Sequence, residues 1–347
     1  MFKRILVPLD GSARAEQAIP FAARLARTQA GSILLVRVVS NLAESGMFLT
    51  AEPSVLLQEV RDQDIIKAAG YLAQMAQAHD LAGIDVQTTV RCGGIVSSLL
   101  DVARTQQRDV IVMSSHGYTG IKRWALGSIA GQVIRHSTTP VLVLHDSDPR
   151  AFCAKGRHPL HIMVALDGSP FAEAALMPAA HLVAAVSAPA RGTLHLIQLI
   201  KTPTAEETLL KGRFAARSSK AALQRSGDYL QTVRENLFRS LATIESGLTI
   251  TWSVEACSDV APSLINRAES GVGAHAPSDL IALTTHGRSG LQRLLLGSVT
   301  ERMLGKTCLP LLIIRPDPHQ NMQEEASVIS TLHNALTVEA ASWMDLL

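Results

Sequence analysis

The chain has 347 residues, enough for about two domains, and its composition (47% hydrophobic, 18% charged, 4% aromatic) is that of a soluble globular protein, not of a disordered or fibrous one. Lysine plus arginine (32) nearly balances aspartate plus glutamate (30). A net charge of +2 gives no electrostatic footprint for a nucleic-acid or membrane partner.

Short β-branched runs alternate with longer helical patterns along the chain. The spacing predicts a strand over residues 4–9, a helix over 13–28, a strand over 32–39, a helix over 53–79, and strands over 85–91, 110–114 and 140–144. Residues 146–159 are polar and carry Pro and Gly, so they read as a linker. Beyond them a strand is predicted over 161–166, a helix over 170–185, and strands over 193–199, 248–255, 280–284 and 311–315. Several strands are continuous apolar runs, which implies burial on both faces. Alternation with helices then implies a parallel sheet with right-handed crossovers. In the tail, Val328, Ile329, Leu332, Leu336 and Ala340 recur at helical spacing, so residues 317–347 are expected to hold a short amphipathic helix that packs on the protein itself or is partly disordered.

The chain repeats itself. Residues 3–12 read KRILVPLDGS and residues 160–169 read LHIMVALDGS. Each is followed by an Ala-rich amphipathic run with an early glutamate, Glu16 or Glu173. Residues 114–128 (SSHGYTGIKRWALGS) and 284–298 (TTHGRSGLQRLLLGS) form a second matching pair, each leading through a helical run to a Pro and an apolar strand. The offset grows from 157 to 170 residues between the two pairs, so the second copy carries extra residues, expected in the polar segment 201–220. The fold class expected is α/β: two tandem doubly wound domains, residues 1–146 and 158–316, each with a five-stranded parallel sheet.

Open parallel sheets bind ligands beyond the carboxyl ends of their strands. Asp10 and Asp167 lie there, each followed by Gly and Ser. Such a carboxylate either stabilises its own turn or accepts hydrogen bonds from a ribose or base. The glycine-bearing loops point further. After strand four come Ser114-Ser115-His116-Gly117 and Thr284-Thr285-His286-Gly287, and after nine intervening residues Gly127-Ser128 and Gly297-Ser298 open a helical run. Glycine lets backbone approach an anion closely. A helix start offers free N–H groups and partial positive charge, and Lys122, Arg123, Arg288 and Arg293 add cations. A polyphosphate is the ligand this arrangement suits.

On these motifs the chain resembles a tandem universal stress protein, with two UspA-type domains in one polypeptide. The resemblance covers about residues 1–146 and 158–316 and rests on the VPLDGS and VALDGS starts together with the SHG…GS and THG…GS loops. It implies a Rossmann-like fold of the adenine nucleotide α-hydrolase type and a regulatory stress-response protein that binds ATP, ADP or AMP, with or without Mg and without a dedicated metal site. The family's loop (Gly, two residues, Gly, nine residues, Gly-Ser/Thr) falls on Ser114, Gly117, Gly127 and Ser128, and on Thr284, Gly287, Gly297 and Ser298. The first glycine is replaced in both copies. The resemblance also assigns Pro8, Asp10 and Asp167 to the first strand's end, and Val38 and Leu199 to the adenine side. Ile129 and Val299 would follow the phosphates, and His116 and His286 would shape the loops. Strand five often mediates dimerisation in the family, so the two copies are expected to pair within the chain, with room for a homodimer.

Other readings are weaker. Gly305-Lys306-Thr307 lacks the upstream glycine of a P-loop and leads into a strand. No GxSxG elbow accompanies the histidines, and neither an acidic cluster for Mg nor a candidate base is evident. The expectation is therefore a binding protein and not an enzyme, with a slow ATPase or a nucleotide-free dimerisation or interaction module as alternatives. Cys92, Cys153, Cys257 and Cys308 are far apart and form no CxxC. No apolar run approaches the roughly 20 residues of a membrane span, and the start lacks a signal-peptide pattern. These features point to a cytoplasmic chain with reduced thiols.

Overall fold

A computed structural model describes residues 1–40, 55–115, 127–145, 159–188, 190–202, 205–241, 248–271, 276–285 and 296–316. The linker before residue 159, the loop residues His116, Gly117, His286 and Gly287, and the tail helix expected over 317–347 lie outside the described residues.

The first copy runs β1 (Arg4–Pro8), α1 (Ala13–Glu16), α2 (Ala18–Gln29), β2 (Ser32–Val39), α3 (Val55–Ala76), β3 (Asp85–Cys92), α4 (Ile95–Thr105), β4 (Val110–Ser114), α5 (Ser128–His136) and β5 (Val141–Leu144). The second runs β6 (His161–Leu166), α6 (Pro170–Glu173), α7 (Leu176–Ser187), β7 (Gly192–Lys201), α8 (Ala205–Ser240), β8 (Leu248–Cys257), α9 (Val260–Ser270), β9 (Leu280–Thr284), α10 (Ser298–Leu304) and β10 (Leu311–Ile314). Apolar β-branched runs set the central strands; β4, β5, β9 and β10 are buried along their whole length and β1 at its three middle residues. The outer strands β3 and β8 carry more polar residues and stay half-exposed.

The five strands of each copy do not form separate sheets. They join in one ten-stranded sheet of order β3-β2-β1-β4-β5-β10-β9-β6-β7-β8. All neighbours are parallel except β5 and β10, which run antiparallel, with Val143 opposite Leu311, Leu142 opposite Leu312 and Val141 opposite Ile313. This is the intrachain pairing of the two fifth strands that the resemblance implies. Because side chains alternate along a strand, Leu142 and Leu312 enter the core on one face of the sheet, and Val141, Val143, Leu311 and Ile313 the core on the other. Each face thus has one apolar core spanning both copies. His145 Nε2 adds a buried hydrogen bond across the join to the Leu304 carbonyl (3.1 Å), and the Arg315 guanidinium donates to the Arg135 carbonyl (2.9 Å).

Two expectations need correction. The helices predicted over 13–28 and 170–185 are each broken, after Glu16 and after Glu173. Proline is the cause: Pro20 and Pro178 have no N–H for the carbonyls of Glu16 and Ala174, four residues back, and their rings crowd those carbonyls. Each instead sits third in the helix that follows, where its missing N–H costs nothing. The extra length of the second copy is likewise helical: α8 has 36 residues against 22 in α3. The most apolar helical stretch, Pro170–Ser187, spans one such break and is 61% buried against the sheet.

Leu312 is fully buried at the join. Leu312→Ala is expected to cost about 2–5 kcal/mol and to lower the stability of both copies together. Denaturant unfolding followed by circular dichroism checks this through a single shifted transition.

Candidate functional site

Where β1 ends, the chain turns from strand to helix within residues 9–12. Asp10 Oδ1 accepts hydrogen bonds from Ser12 N (2.9 Å) and Ser12 Oγ (2.6 Å), and Ser12 Oγ in turn accepts from Ala15 N (3.2 Å), capping α1. Gly11 lies at φ +88°, a conformation a side chain resists. The second copy repeats the turn: Asp167 Oδ1 takes Ser169 N (2.9 Å) and Oγ (2.6 Å), Ser169 caps α6, and Gly168 lies at φ +82°. The turn-stabilising reading of both aspartates therefore holds, and in the first copy the same residue also stands on the wall of a cavity.

That cavity, of about 280 Å³, lies between β1 and β4, where the strand order of the first copy reverses direction. Pro8 and Asp10 enter from the end of β1, Val36 and Val38 from β2, Ile95 and Leu99 from α4, Met113, Ser114 and Ser115 from the end of β4, and Gly127, Ser128, Ile129 and Ala130 from the start of α5. Seven residues singled out from the sequence thus meet around one space. Ser115, Ile95, Leu99 and Met113 were not among the candidates. Ile95 and Leu99 carried a signal, an i, i+4 apolar pair just after a Gly-Gly turn.

The two sides of the cavity differ chemically. Val36, Val38, Ile95, Leu99 and Met113 make an apolar wall suited to a flat ring. Opposite lies the amino end of α5. Its cap is Gly127 and not Ser128, which is the first helical residue. Gly127 N–H donates to the Ser115 carbonyl (2.9 Å), and among the described residues no side chain caps the helix. The N–H groups of Ser128, Ile129 and Ala130 have no helical acceptor, and the helix dipole adds positive potential where they point. An anion beside Gly127 would meet main-chain donors with no Cβ in the way.

The second copy diverges. Asp167 and Leu199 line a cavity of about 610 Å³, but its other walls are Gly168, Gln198, Ile200, Lys201 and Val260 together with Ala222, Arg225, Ser226 and Tyr229 of α8. Thr284, Gly297, Ser298 and Val299 do not line it. Gly297 N–H donates to the Thr285 carbonyl (2.7 Å) as its counterpart does, but Thr300 stands where the first copy has Ala130, and its hydroxyl donates to the Thr284 carbonyl (2.9 Å). The candidates of the second copy are therefore not gathered as those of the first are.

Behind the first turn lies a buttress. The Arg37 guanidinium stacks 4.8 Å from the Tyr71 ring centre and packs against Gly11, where an added Cβ would come within 3.1 Å of it. Tyr71 Oη donates to Glu16 Oε1 (2.9 Å). Burial, and then the Glu16 carboxylate, push the Tyr71 phenol well above its ordinary pKa. Tyr229 and Glu173 repeat the hydrogen bond (3.0 Å), but Gln198 precedes Leu199 where Arg37 precedes Val38. Among the described residues no group of three His, Cys, Asp or Glu side chains could hold a metal ion.

Two doubly wound α/β units in tandem, each with an Asp-Gly-Ser turn at its switch point, define a class of protein. The universal stress protein family model matches residues 1–145 and 160–315, and the chain belongs to that family. It is 25% identical over 324 residues to a universal stress protein of Mycolicibacterium smegmatis, across 90% of this chain and 97% of that one. It is 30% identical over 145 residues to a single-domain-length relative from Methanocaldococcus jannaschii, across 42% of this chain and 82% of the relative. The crystal structure of a universal stress protein from Archaeoglobus fulgidus shares the fold, with a TM-score of 0.59 at 18% identity over 91% of this chain and 99% of that one.

Gly11→Ala is expected to destabilise the chain by about 1–3 kcal/mol, measured by denaturant unfolding. Tyr71 binds its proton more tightly folded than unfolded, so its contribution to stability is complete below the ordinary value of 10.0 and is lost as pH rises beyond it. Tyr71→Phe should therefore flatten the fall in stability above about pH 10, checked by unfolding midpoints across that range.

Proposed function

We propose that the first copy binds an adenine nucleotide (ATP, ADP or AMP) and that the protein acts by that binding as a regulatory member of its family. The observation that carries this reading is the convergence of Asp10, Val38, Ser114, Gly127 and Ser128 on one cavity. Its apolar side suits the adenine, Asp10 suits hydroxyls of the ribose, and the uncapped N–H groups of α5 suit the phosphates. A Mg ion would arrive on the phosphates, since the described lining residues include one carboxylate, Asp10.

Binding without dedicated turnover is part of the proposal. Asp10 is the one ionisable side chain among the described residues lining the cavity, and its Oδ1 already holds the turn. Activation of a water molecule needs a base within hydrogen-bond reach of it, and none of the described lining residues other than Asp10 could serve.

Calorimetric titration of the full chain with ATP, and mass spectrometry of small molecules released from the purified protein, test the reading. One nucleotide per chain is expected. Gly127→Val, which sets a branched side chain at the helix start, should weaken binding at least about tenfold. Hydrolysis should stay below about one turnover per second. No binding at about millimolar ATP, or Gly127→Val behaving as the parent, would overturn it in favour of a nucleotide-free interaction module.

A further inference from the structure

A second polar cavity lies at the opposite end of the sheet from Asp167. It encloses about 230 Å³ at the amino ends of β6, β7 and β8, with Arg267 of α9 on one wall. Its polar lining is His161, Thr193, His195, Thr249, Thr251, Arg267 and Ser278. The His195 ring is held between Thr251 Oγ1 (2.8 Å) and Ser253 Oγ (2.9 Å). Arg267 pairs with Glu255 through Nη2, and its side chain is 18% exposed. Its other terminal nitrogen, Nη1, is buried with no hydrogen-bond partner among the described residues.

Comparison of the two copies shows what has changed. Two residues into β2 and β7 from matched positions, Leu34 stands in the first copy and His195 in the second. The eighth residue of the eleven-residue helices α4 and α9 is Val102 in one and Arg267 in the other. Leu34 and Val102 are core residues of the first copy. Arg108 precedes Asp109 as Ser278 precedes Asp279, and both aspartates take a backbone N–H from the start of the neighbouring strand. The Arg108 guanidinium is half-buried near the charges of Arg4, Asp109 and Asp85 at the amino end of its own copy. The second copy thus has a serine where the first has this long side chain, and a histidine and an arginine where the first has apolar residues. Burying a guanidinium nitrogen without an acceptor costs folding free energy. A charged donor kept in such a place, beside hydroxyls and imidazoles, calls for an acceptor from outside the chain.

We propose that this cavity is a binding site for a small oxyanion, a phosphate or a carboxylate, held by the Arg267 guanidinium with the hydroxyls of Thr193, Thr249 and Ser278. Glu255 holds the guanidinium from one side, and a turn of the guanidinium toward the cavity presents Nη1 to the anion. The site is separate from the nucleotide cavity and does not rest on it.

Calorimetric titration of the full chain with inorganic phosphate and, separately, with succinate tests the proposal and distinguishes the two sources of the oxyanion. Saturable binding of at least one is expected. It should weaken at least about tenfold in Arg267→Val, which restores the residue type of the first copy. It should weaken likewise in Ser278→Arg, which returns a long side chain to the space, and it should persist in Gly127→Val. Circular dichroism establishes that each variant is folded; if Arg267→Val does not fold, Ser278→Arg decides. No saturable binding of either anion at about 20 mM, binding that survives the deciding variants, or binding lost in Gly127→Val would overturn the proposal.

Discussion

The structure depends on the antiparallel pairing of β5 and β10. Each copy places its fifth strand at the end of a parallel sheet, and each of those strands is apolar on both faces, VLVL in one and LLII in the other. Alone, either would be an exposed hydrophobic edge with a row of unpaired backbone groups, open to pairing with another chain. Pairing them removes both edges at once and carries the apolar cores of both faces across the join. The outer edges that remain, β3 and β8, are the more polar strands and half-exposed, which is how such edges are kept from aggregating.

Duplication under that constraint leaves the two copies free to diverge at their ends, because the central strands bear the packing. At the carboxyl end, both keep the Asp-Gly-Ser turn, since the reversal from strand to helix needs a left-handed glycine and a cap. Only the first combines it with Ala130 and an open cavity against α5; in the second, Thr300 ties back to the carbonyl of Thr284. At the amino end the polarity of the change is reversed. There the first copy has Leu34 and Val102 in its core and Arg108 beside Asp109, and the second holds His195 and Arg267 around a cavity.

Much of this was legible in the residues. The repeat, the strand positions and the Asp-Gly-Ser turns follow from local pattern, and seven candidates of the first copy meet where the switch-point rule places a ligand. The broken first helices were also readable, because Pro20 and Pro178 carry their own signal. An Ala-rich amphipathic run outweighs one proline when periodicity alone is scored. A helix before β8 follows from the same alternation, but its length does not, since a long polar helix gives little apolar periodicity to detect. Ser128 follows the glycine that caps α5, and a Gly-Ser pair does not declare which of its members is the cap.

The sequence by itself determined that the chain is two copies of one strand–helix alternation and which residues turn at the end of each first strand, because these rest on interactions between residues near in the chain. Tertiary structure alone decided that the ten strands are one sheet, that the candidates of the first copy share a cavity while those of the second do not, and that Arg267 keeps a buried nitrogen without a partner among the described residues. Those outcomes depend on volumes and hydrogen bonds between residues tens of positions apart, such as Ala130 or Thr300 against the end of the fourth strand, and no local pattern records how such distant side chains fill a common space.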